Sequence, residues 1–385
     1  MSMIDITNVI NISLVTSPAG LAPYSINNLV CFTKDTPAVA LGADYAVYAS
    51  ASDVLTAFGA SETYNAAVAV FSQSPNVISG GGFFIVIPML TNEVLEQAIV
   101  RAEGLVYYGA CSHTYTLGIT GPTGFTGATG ANLEAIRAMG VAESSGKILF
   151  LSTALTSDLT TPGLAFKAKD LSYDHSRVLF HTVADELDDF RWGYAGRAMS
   201  TNFSGSNTTA TMNLKSISGV VSDTGITQTL LTAAKAVGAD CYVNIAGQPC
   251  VMSYGANLFF DDVYNLDWVL GALEVAGFNY LRTSGTKIPQ SESGVSGLKA
   301  AYQSVLTQAK TNGFIAPGSW TGSDTFGDPE TFRANIASNG YYIYSQPITQ
   351  QSAADRLLRK APVCQIAMKY AGAIHSSNVL VSVNP

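Results

Sequence analysis

The side chains best suited to catalysis do not fall into any spacing that builds an active site. The four histidines lie far apart and none belongs to an H-E-x-x-H pattern: His113, His175, His181 and His375. The chain also has no G-x-x-x-x-G-K-[ST] phosphate loop and no G-x-S-x-G nucleophile turn. We therefore predict no catalytic, cofactor-binding or metal-binding residues and no cofactor.

An acidic cluster lies near the middle of the chain: Asp185, Glu186, Asp188 and Asp189. Its carboxylates suit calcium or a catalytic pair, but the cluster lacks the spacing and the glycine of an EF-hand. It also opens a predicted helix over 188–198, where the helix dipole favours negative charge. Helix capping and solvation are therefore the preferred interpretation.

Three cations stand out in a chain of formal net charge -8: Arg356, Arg359 and Lys360. Their i, i+3 and i+4 spacing predicts one face of a helix, and Pro362 suits the first turn of a second helix that runs to Ile374. That second helix has an apolar stripe with Lys369 outside it. Such a face suits docking to an acidic partner, while a solvated face that balances local acids explains the spacing equally well.

Both ends of the chain have the two-residue period of a strand. The apolar positions are Ile4, Ile6, Ile10, Ile12 and Leu14 at the amino end, and Val379, Val381 and Val383 at the carboxyl end. The first arm is separated from the body by residues that interrupt strands and helices: Pro18, Gly20 and Pro23. The two strands either pair with each other in one monomer or exchange with partner chains.

Between the arms, predicted helices alternate with short apolar strands. The predicted helices are 52–59, 61–71, 92–103, 132–143, 188–198, 230–237, 266–276 and 298–311, and the predicted strands are 83–87, 105–108, 147–151, 177–181 and 208–214. Alternation of this kind indicates βαβ units, so the predicted fold class is α/β, or mixed α+β, with a largely parallel sheet.

Glycine recurs at every third position from Gly118 to Gly130, which is the collagen pattern. Four triplets are few for a triple helix. We therefore prefer an exposed loop to a trimeric collagen stub.

Composition narrows the classes of partner. Charged residues make up 12% of the chain, about half the usual share, so much of the surface is neutral and polar, which suits packing against copies of itself. The acidic net charge argues against nucleic acid as a partner.

Five irregularly spaced cysteines favour buried free thiols and synthesis in a reducing cytoplasm. The first fifteen residues lack a basic segment, and the apolar stretch at 83–87 is far too short for a bilayer, so no signal peptide or membrane insertion is predicted.

Short motifs spread from residue 53 to residue 375 resemble the tail sheath family of contractile-tailed bacteriophages, in a branch often described only as phage proteins of unknown function. They are 53–59 (DVLTAFG), 64–75 (YNAAVAVFSQSP), 202–209 (NFSGSNTT) with 214–215 and 219–220, 286–290 (TKIPQ) with 294–295, 359–362 (RKAP) and 371–375 (AGAIH). Each motif is weak alone, but their order covers most of the chain.

The resemblance implies a structural subunit rather than an enzyme. Such a subunit polymerises as stacked hexameric rings around the tail tube and contracts to drive the tube through the host envelope for genome ejection. The implied partners are copies of itself, the tail tube protein, and baseplate and tail terminator proteins; the implied place is the virion tail, after assembly in the host cytoplasm.

The resemblance also orders the chain. It implies a tail-sheath-like core of mixed sheet and helices, with arms that pair with neighbouring subunits, divided as 1–20 (amino-terminal arm), 21–200 and 201–374 (two parts of the body) and 375–385 (carboxy-terminal arm). It implies that the basic residues Arg356, Arg359, Lys360 and Lys369 face the tube.

Two features depart from the family. Many sheaths carry an outer domain near the Ser-Pro segment, whereas here Pro75 runs almost directly into a strand, and the glycine-triplet segment is unfamiliar within the family. The alternatives are the sheath of a phage-derived bacteriocin or injection system, a hydrolase-like α/β enzyme without a recognisable site, and a surface-layer or adhesin subunit, which would ordinarily need an export signal.

Overall fold

The computed structural model describes residues 25–117 and 132–377. The helices are α1 (Ala51–Phe58), α2 (Glu62–Phe71), α3 (Leu95–Glu103), α4 (Leu133–Ser145), α5 (Leu164–Asp170), α6 (Leu187–Ala198), α7 (Gln228–Val237), α8 (Phe260–Thr283), α9 (Glu292–Asn312), α10 (Pro329–Asn339) and α11 (Ala353–Leu357). The strands are β1 (Leu29–Thr33), β2 (Ala46–Tyr48), β3 (Phe84–Pro88), β4 (Ala110–His113), β5 (Ile148–Thr153), β6 (Ser176–Phe180), β7 (Asp240–Ile245), β8 (Gln248–Met252), β9 (Tyr341–Ser345) and β10 (Cys364–Met368).

Eight strands form one sheet in the order β2-β3-β1-β4-β5-β6-β7-β8. The six central strands are parallel, and the two outer strands, β2 and β8, are antiparallel to their neighbours. All five residues of β1 are buried, as expected of a central strand covered on both faces. The predicted α/β class with a largely parallel, mixed sheet is confirmed.

Helices cover both faces of this sheet and form two hydrophobic cores. One core joins α1, α2, α6 and the start of α8 through buried side chains such as Val70, Trp192 and Phe260. The other joins α3, α4, α5 and α7 through side chains such as Ile99, Met139 and Val237. Successive β1 residues point to opposite cores, since Cys31 belongs to the first and Phe32 to the second.

The first core depends on a close approach of α2 and α6. A Cβ placed on Gly196 would lie 2.7 Å from the carbonyl oxygen of Val70, so glycine permits this separation. Beside it, the rings of Phe84 and Trp192 meet edge to face at 5.7 Å. The sequence therefore needs a glycine in the last turn of α6 despite its poor helix propensity.

The chain forms two compact units. The sheet unit contains the described residues 25–269, Gln308–Ala316 and 370–377, and the small unit contains Leu270–Thr307 and Pro317–Lys369. In the small unit, β9 and β10 pair antiparallel and α10 packs on β9. One of its buried clusters consists of Phe332, Ile336 and Ala367, with half-buried rings around them.

Three predicted elements are wrong. Residues 105–108 are not a strand, because the amides of Leu105 and Val106 bond to the Ala102 carbonyl and end α3. Residues 208–214 are not a strand either, because the amides of Thr208 and Thr209 bond to the Asn312 carbonyl at the end of α9. In both places the backbone donors cap a helix instead of joining a sheet.

The third wrong element is the helix predicted after Pro362. Residues Cys364–Met368 form β10 and pair with Tyr341–Ser345. The helix predicted for the three cations is also short, since α11 ends at Leu357 and Arg359 takes a left-handed φ of 54°. Apolar residues spaced two and four apart fit the period of a strand as well as that of a helix. Pairing with β9 favours the strand.

Candidate functional site

A crevice lies at the carboxyl ends of β4 and β5, the edge of the sheet at which doubly wound folds bind ligands. The crevice has a volume of about 660 Å³, and Arg191 and His113 line it. The buried guanidinium of Arg191 donates to the His113 carbonyl at 2.7 Å and to Ser152 Oγ at 3.0 Å, and it pairs with Asp188 at 2.5 Å. These bonds join the ends of β4 and β5 to α6. The guanidinium of Arg191 therefore links the elements that form the walls of the crevice.

The histidine of the crevice is held neutral. Burial, with help from the charge of Arg191, holds the pKa of His113 well below its ordinary value. Its Nδ1 lies 2.7 Å from the Tyr115 carbonyl. Ser152 meanwhile accepts from Arg191 and Thr153 donates to buried Asp158. His113, Ser152, Thr153 and Asp158 thus all take part in internal bonds.

The acidic cluster lies at the start of α6, as its interpretation as a solvated helix terminus requires. Asp188 and Asp189 fall in the first turn, and a Glu186 carboxylate oxygen accepts from the Val221 amide at 3.0 Å. Burial and the charges of Glu186, Asp188 and Glu62 raise the pKa of Asp189. Within the described ranges, no group of three or more His, Cys, Asp or Glu side chains is placed to hold a metal ion.

The predicted basic residues lie on a turn formed by residues 353–363, here called the basic turn. Ser352 caps its short helix by accepting from the Asp355 amide at 3.0 Å. Two amide side chains then hold the other end, because Gln290 Nε2 and Gln351 Nε2 each donate to the Lys360 carbonyl at 2.9 Å. Gln290 belongs to the TKIPQ motif and Lys360 to the RKAP motif, so two motifs seventy residues apart in sequence meet here.

The basic turn exposes apolar side chains among its cations. Leu357, Leu358 and Val363 are 84%, 67% and 77% exposed. Arg356, Arg359 and Lys360 are also exposed, and within the described residues only Lys360 forms an ion pair, with its Nζ 3.4 Å from Asp355. A hydrogen bond from Ser352, together with Lys360, lowers the pKa of Asp355. A monomer gains nothing from such exposure, which is typical of a protein-binding surface.

Lys369 is not part of the basic turn. It follows the last residue of β10, whereas the turn precedes the first, so about five residues of extended chain, roughly 16 Å, separate them. Its side chain passes Gly318, and its amide donates to the Gly340 carbonyl at 2.8 Å. The structure therefore brings three of the four predicted cations together.

The two-stranded sheet of β9 and β10, here called the small sheet, has two open edges. Because Lys369 and Gly340 form a hydrogen-bonded pair, alternation along the ladder turns the backbone groups of Tyr341, Ile343 and Ser345 away from β10, and those of Cys364, Ile366 and Met368 away from β9. Among the described residues no third strand pairs with either edge. Two strands alone are marginally stable, and a strand edge of this kind can accept a further strand.

Residues 370–377, here called the arm root, continue the chain after β10. The arm positions themselves, Ile4 to Leu14 and Val379 to Val383, lie outside the described residues, as does the glycine-triplet segment. The four-part division of the chain stays a prediction. So does the tube-facing role of the cations.

Several contacts between motifs were not predictable from spacing. The Gln73 side chain accepts from the Ser218 amide at 2.9 Å and donates to the Ser218 carbonyl at 3.0 Å, which joins the YNAAVAVFSQSP motif to the segment at 219–220. All five cysteines are free, and four are buried as predicted. Across the described segments no helix is both long and apolar enough to cross a membrane.

Residues 260–383 match the family described as E217 tail sheath protein gp31-like, C-terminal domain. The matched range spans about a third of the chain and includes the small sheet, the basic turn and the arm root. A search of curated proteins found no match. The family match confirms the resemblance inferred from the motifs and supports a structural role in a phage tail sheath.

Proposed function

We propose that this chain, a phage tail sheath protein by the match over its carboxy-terminal third, polymerises as stacked hexameric rings around the tail tube and contracts to drive the tube through the host envelope. Its partners are other copies of itself, the tail tube protein, and baseplate and tail terminator proteins. Assembly takes place in the host cytoplasm, and the role is structural rather than enzymatic.

The open small sheet is the observation that supports polymerisation. Among the described residues neither of its edges pairs with a further strand, and the chain has two predicted strand arms, so each edge has one candidate donor. Strands added from neighbouring copies would satisfy the outward backbone groups and turn a marginal hairpin into a four-stranded sheet. Links of this kind persist while the globular bodies rotate, which a contracting polymer requires.

The basic turn supports the contact with the tube. Its three cations would meet acidic groups on the outer tube surface, while the three exposed apolar side chains would be buried in the contact. Lys369 would contact the tube at a separate point. Contraction would then be driven by the larger packed interface of the contracted state, without nucleotide hydrolysis.

Electron microscopy of the purified chain tests polymerisation. We expect hollow tubes or stacked six-fold rings from the full chain, and a folded monomer after deletion of residues 1–15. Exchange of Ile10, Ile12 and Leu14 for serine should have the same effect as the deletion, because it removes the apolar face of the arm strand. Exchange of the intervening Asn11 and Ser13 for alanine is the matched control and should still assemble. Intact tubes from the deletion variant would refute strand exchange by this arm.

Co-sedimentation with isolated tail tubes tests the basic turn. The triple variant Arg356→Glu, Arg359→Glu and Lys360→Glu should lower tube loading, because like charges would then meet across the contact. The control changes net charge equally at three other exposed cations of the small unit, Arg282→Glu, Lys287→Glu and Arg333→Glu. Equal loading by both triples would show that the basic turn does not face the tube.

A further inference from the structure

The arm root is bound to the sheet unit at two separate points. At the first, Ala371 donates its amide to the Phe314 carbonyl at 2.8 Å, and Tyr370 forms a bridge with Ile315. The Tyr370 ring also stacks on Phe314 with centroids 4.8 Å apart. Phe314 and Ile315 are both buried, so this first point is part of a packed surface.

The second point is His375. Its Nε2 lies 2.9 Å from Thr211 Oγ1, and its ring meets Phe259 edge to face at 4.5 Å. Between the two points the chain has only small residues and one large side chain, Ile374, which is 89% exposed. A cavity of about 310 Å³, lined by Ala371 and Ala373, lies beside this stretch. Residues 372–374 are therefore held mainly by the two attachment points at their ends.

The surface that receives the arm root is built by motif residues with no role in the proposed tube contact. Asn312 is fully buried and donates to the Phe203 carbonyl at 2.9 Å, while the amide of Asn207 bonds to the Thr311 carbonyl at 2.9 Å. The NFSGSNTT motif thus fixes the end of α9, and the end of α9 leads directly into Phe314. Thr211 follows the same motif two residues later.

We propose that His375 is a positioning residue that sets where the carboxy-terminal arm leaves the body, with the joint at Ser376 and Ser377. The proposal rests on the proposed function, since it assumes that the arm is captured by a neighbouring copy. With His375 bound, about two flexible residues separate the body from the arm strand. Without it, the free link starts after Ala371 and has about six.

A longer flexible link lowers the effective concentration of the arm strand at the sheet edge that accepts it. Effective concentration falls roughly as the -3/2 power of link length, so a change from about two to about six residues weakens arm capture about fivefold. The stability of the body should hardly change, because His375 contacts only partly exposed groups at the end of the described chain.

Spin-label mobility in the monomer tests the proposal directly. A nitroxide is attached at Ser377→Cys in a Cys364→Ser background, because the other four cysteines are buried. We expect a restricted spectrum for the parent, a mobile spectrum for His375→Ala, and partial restoration by His375→Gln, which can still bond to Thr211. Thr211→Val should give the same mobile spectrum as His375→Ala. The double variant should be no more mobile than either single variant, as expected of two partners in one contact. Ile374→Ala is the matched control and should leave the label restricted.

A His375→Ala spectrum that equals the Ile374→Ala spectrum would overturn the proposal. A mobile label combined with an unchanged concentration dependence of sheath assembly would also overturn it, because the joint would then not matter for capture. Deletion of residues 378–385 separates the two ideas. If that deletion leaves assembly intact, the proposed arm exchange fails, whatever the spin label reports about His375.

Discussion

The two units of this chain differ in how completely each satisfies its own backbone and apolar surface. The sheet unit covers both faces of its eight strands with helices and buries two large cores. The small unit has a buried cluster of three residues beneath its sheet, which has only two strands among the described residues, and a turn with three exposed apolar side chains. A unit that needs neighbours to complete it suits assembly, whereas a self-sufficient unit suits a rigid body that moves as one piece.

The largest expected effects on stability come from removing one buried ring from each of the two units. Trp192→Ala in the sheet unit and Phe332→Ala in the small unit each remove a buried ring, and each should cost about 3–5 kcal/mol of local stability. Hydrogen exchange should rise throughout the sheet unit for Trp192→Ala, but only over 317–369 and neighbouring helix residues for Phe332→Ala. Rapid exchange of β4 to β6 in Phe332→Ala would contradict the contrast between a self-sufficient unit and a dependent one.

A smaller effect should depend on pH within the sheet unit. Burial lowers the pKa of His175, but the hydrogen bond and charge of Asp267 and the charge of Glu143 outweigh it, so the net pKa is raised. The two carboxylates lie 3.3 Å and 3.1 Å from the ring nitrogens. The imidazolium is therefore stabilised in the folded state. Its contribution is complete below the ordinary pKa of about 6.5 and disappears as the pH rises through the raised value.

His175→Gln should accordingly lower the melting temperature more at about pH 5.5 than at about pH 8.5. Asp267→Asn should remove most of this pH dependence, because it deletes the stronger partner. A constant difference between His175→Gln and the parent across that range would show that the ion pairs contribute nothing to stability.

The smallest effect on stability should come from the basic turn. Leu357→Ser with Leu358→Ser should change the free energy of unfolding by no more than about 0.5 kcal/mol, because both side chains are mostly exposed. The same variant should bind tail tubes less well, since it loses the apolar part of the proposed contact. A clear loss of thermal stability would mean that these leucines pack within the subunit after all.

Much of the sheet unit was predictable because its helices have local start signals. Ser61 caps α2 at its predicted start, whereas Ser50 caps α1 just before the start predicted at 52, and Gly146 ends α4 with a positive φ just beyond the end predicted at 143. The central strand β1 was missed, because a five-residue apolar run with no alternation gives little periodic signal. The β7–β8 hairpin was missed because its turn is Ala246-Gly247 rather than the usual Asn-Gly.

The small unit was harder to predict because its structure depends on distant partners. Arg359 takes a left-handed conformation, while the neighbouring carbonyl of Lys360 is bound by Gln290, a residue seventy positions away. The strand β10 exists because β9 pairs with it, and the same residues have an equally good helical stripe. The three cations lie on one turn rather than on one face of a helix, since the helix ends at Leu357 and Arg359 is left-handed.

The two glutamines that bind the Lys360 carbonyl separate the shape of the basic turn from its charge. Both are neutral, and they hold the backbone without touching the side chains that face outward. Residues 356–360 can therefore be exchanged, even for the opposite charge, while the loop keeps its path. If the basic turn contacts the tube as proposed, changing a few surface side chains would match the subunit to a different tube without redesigning its fold.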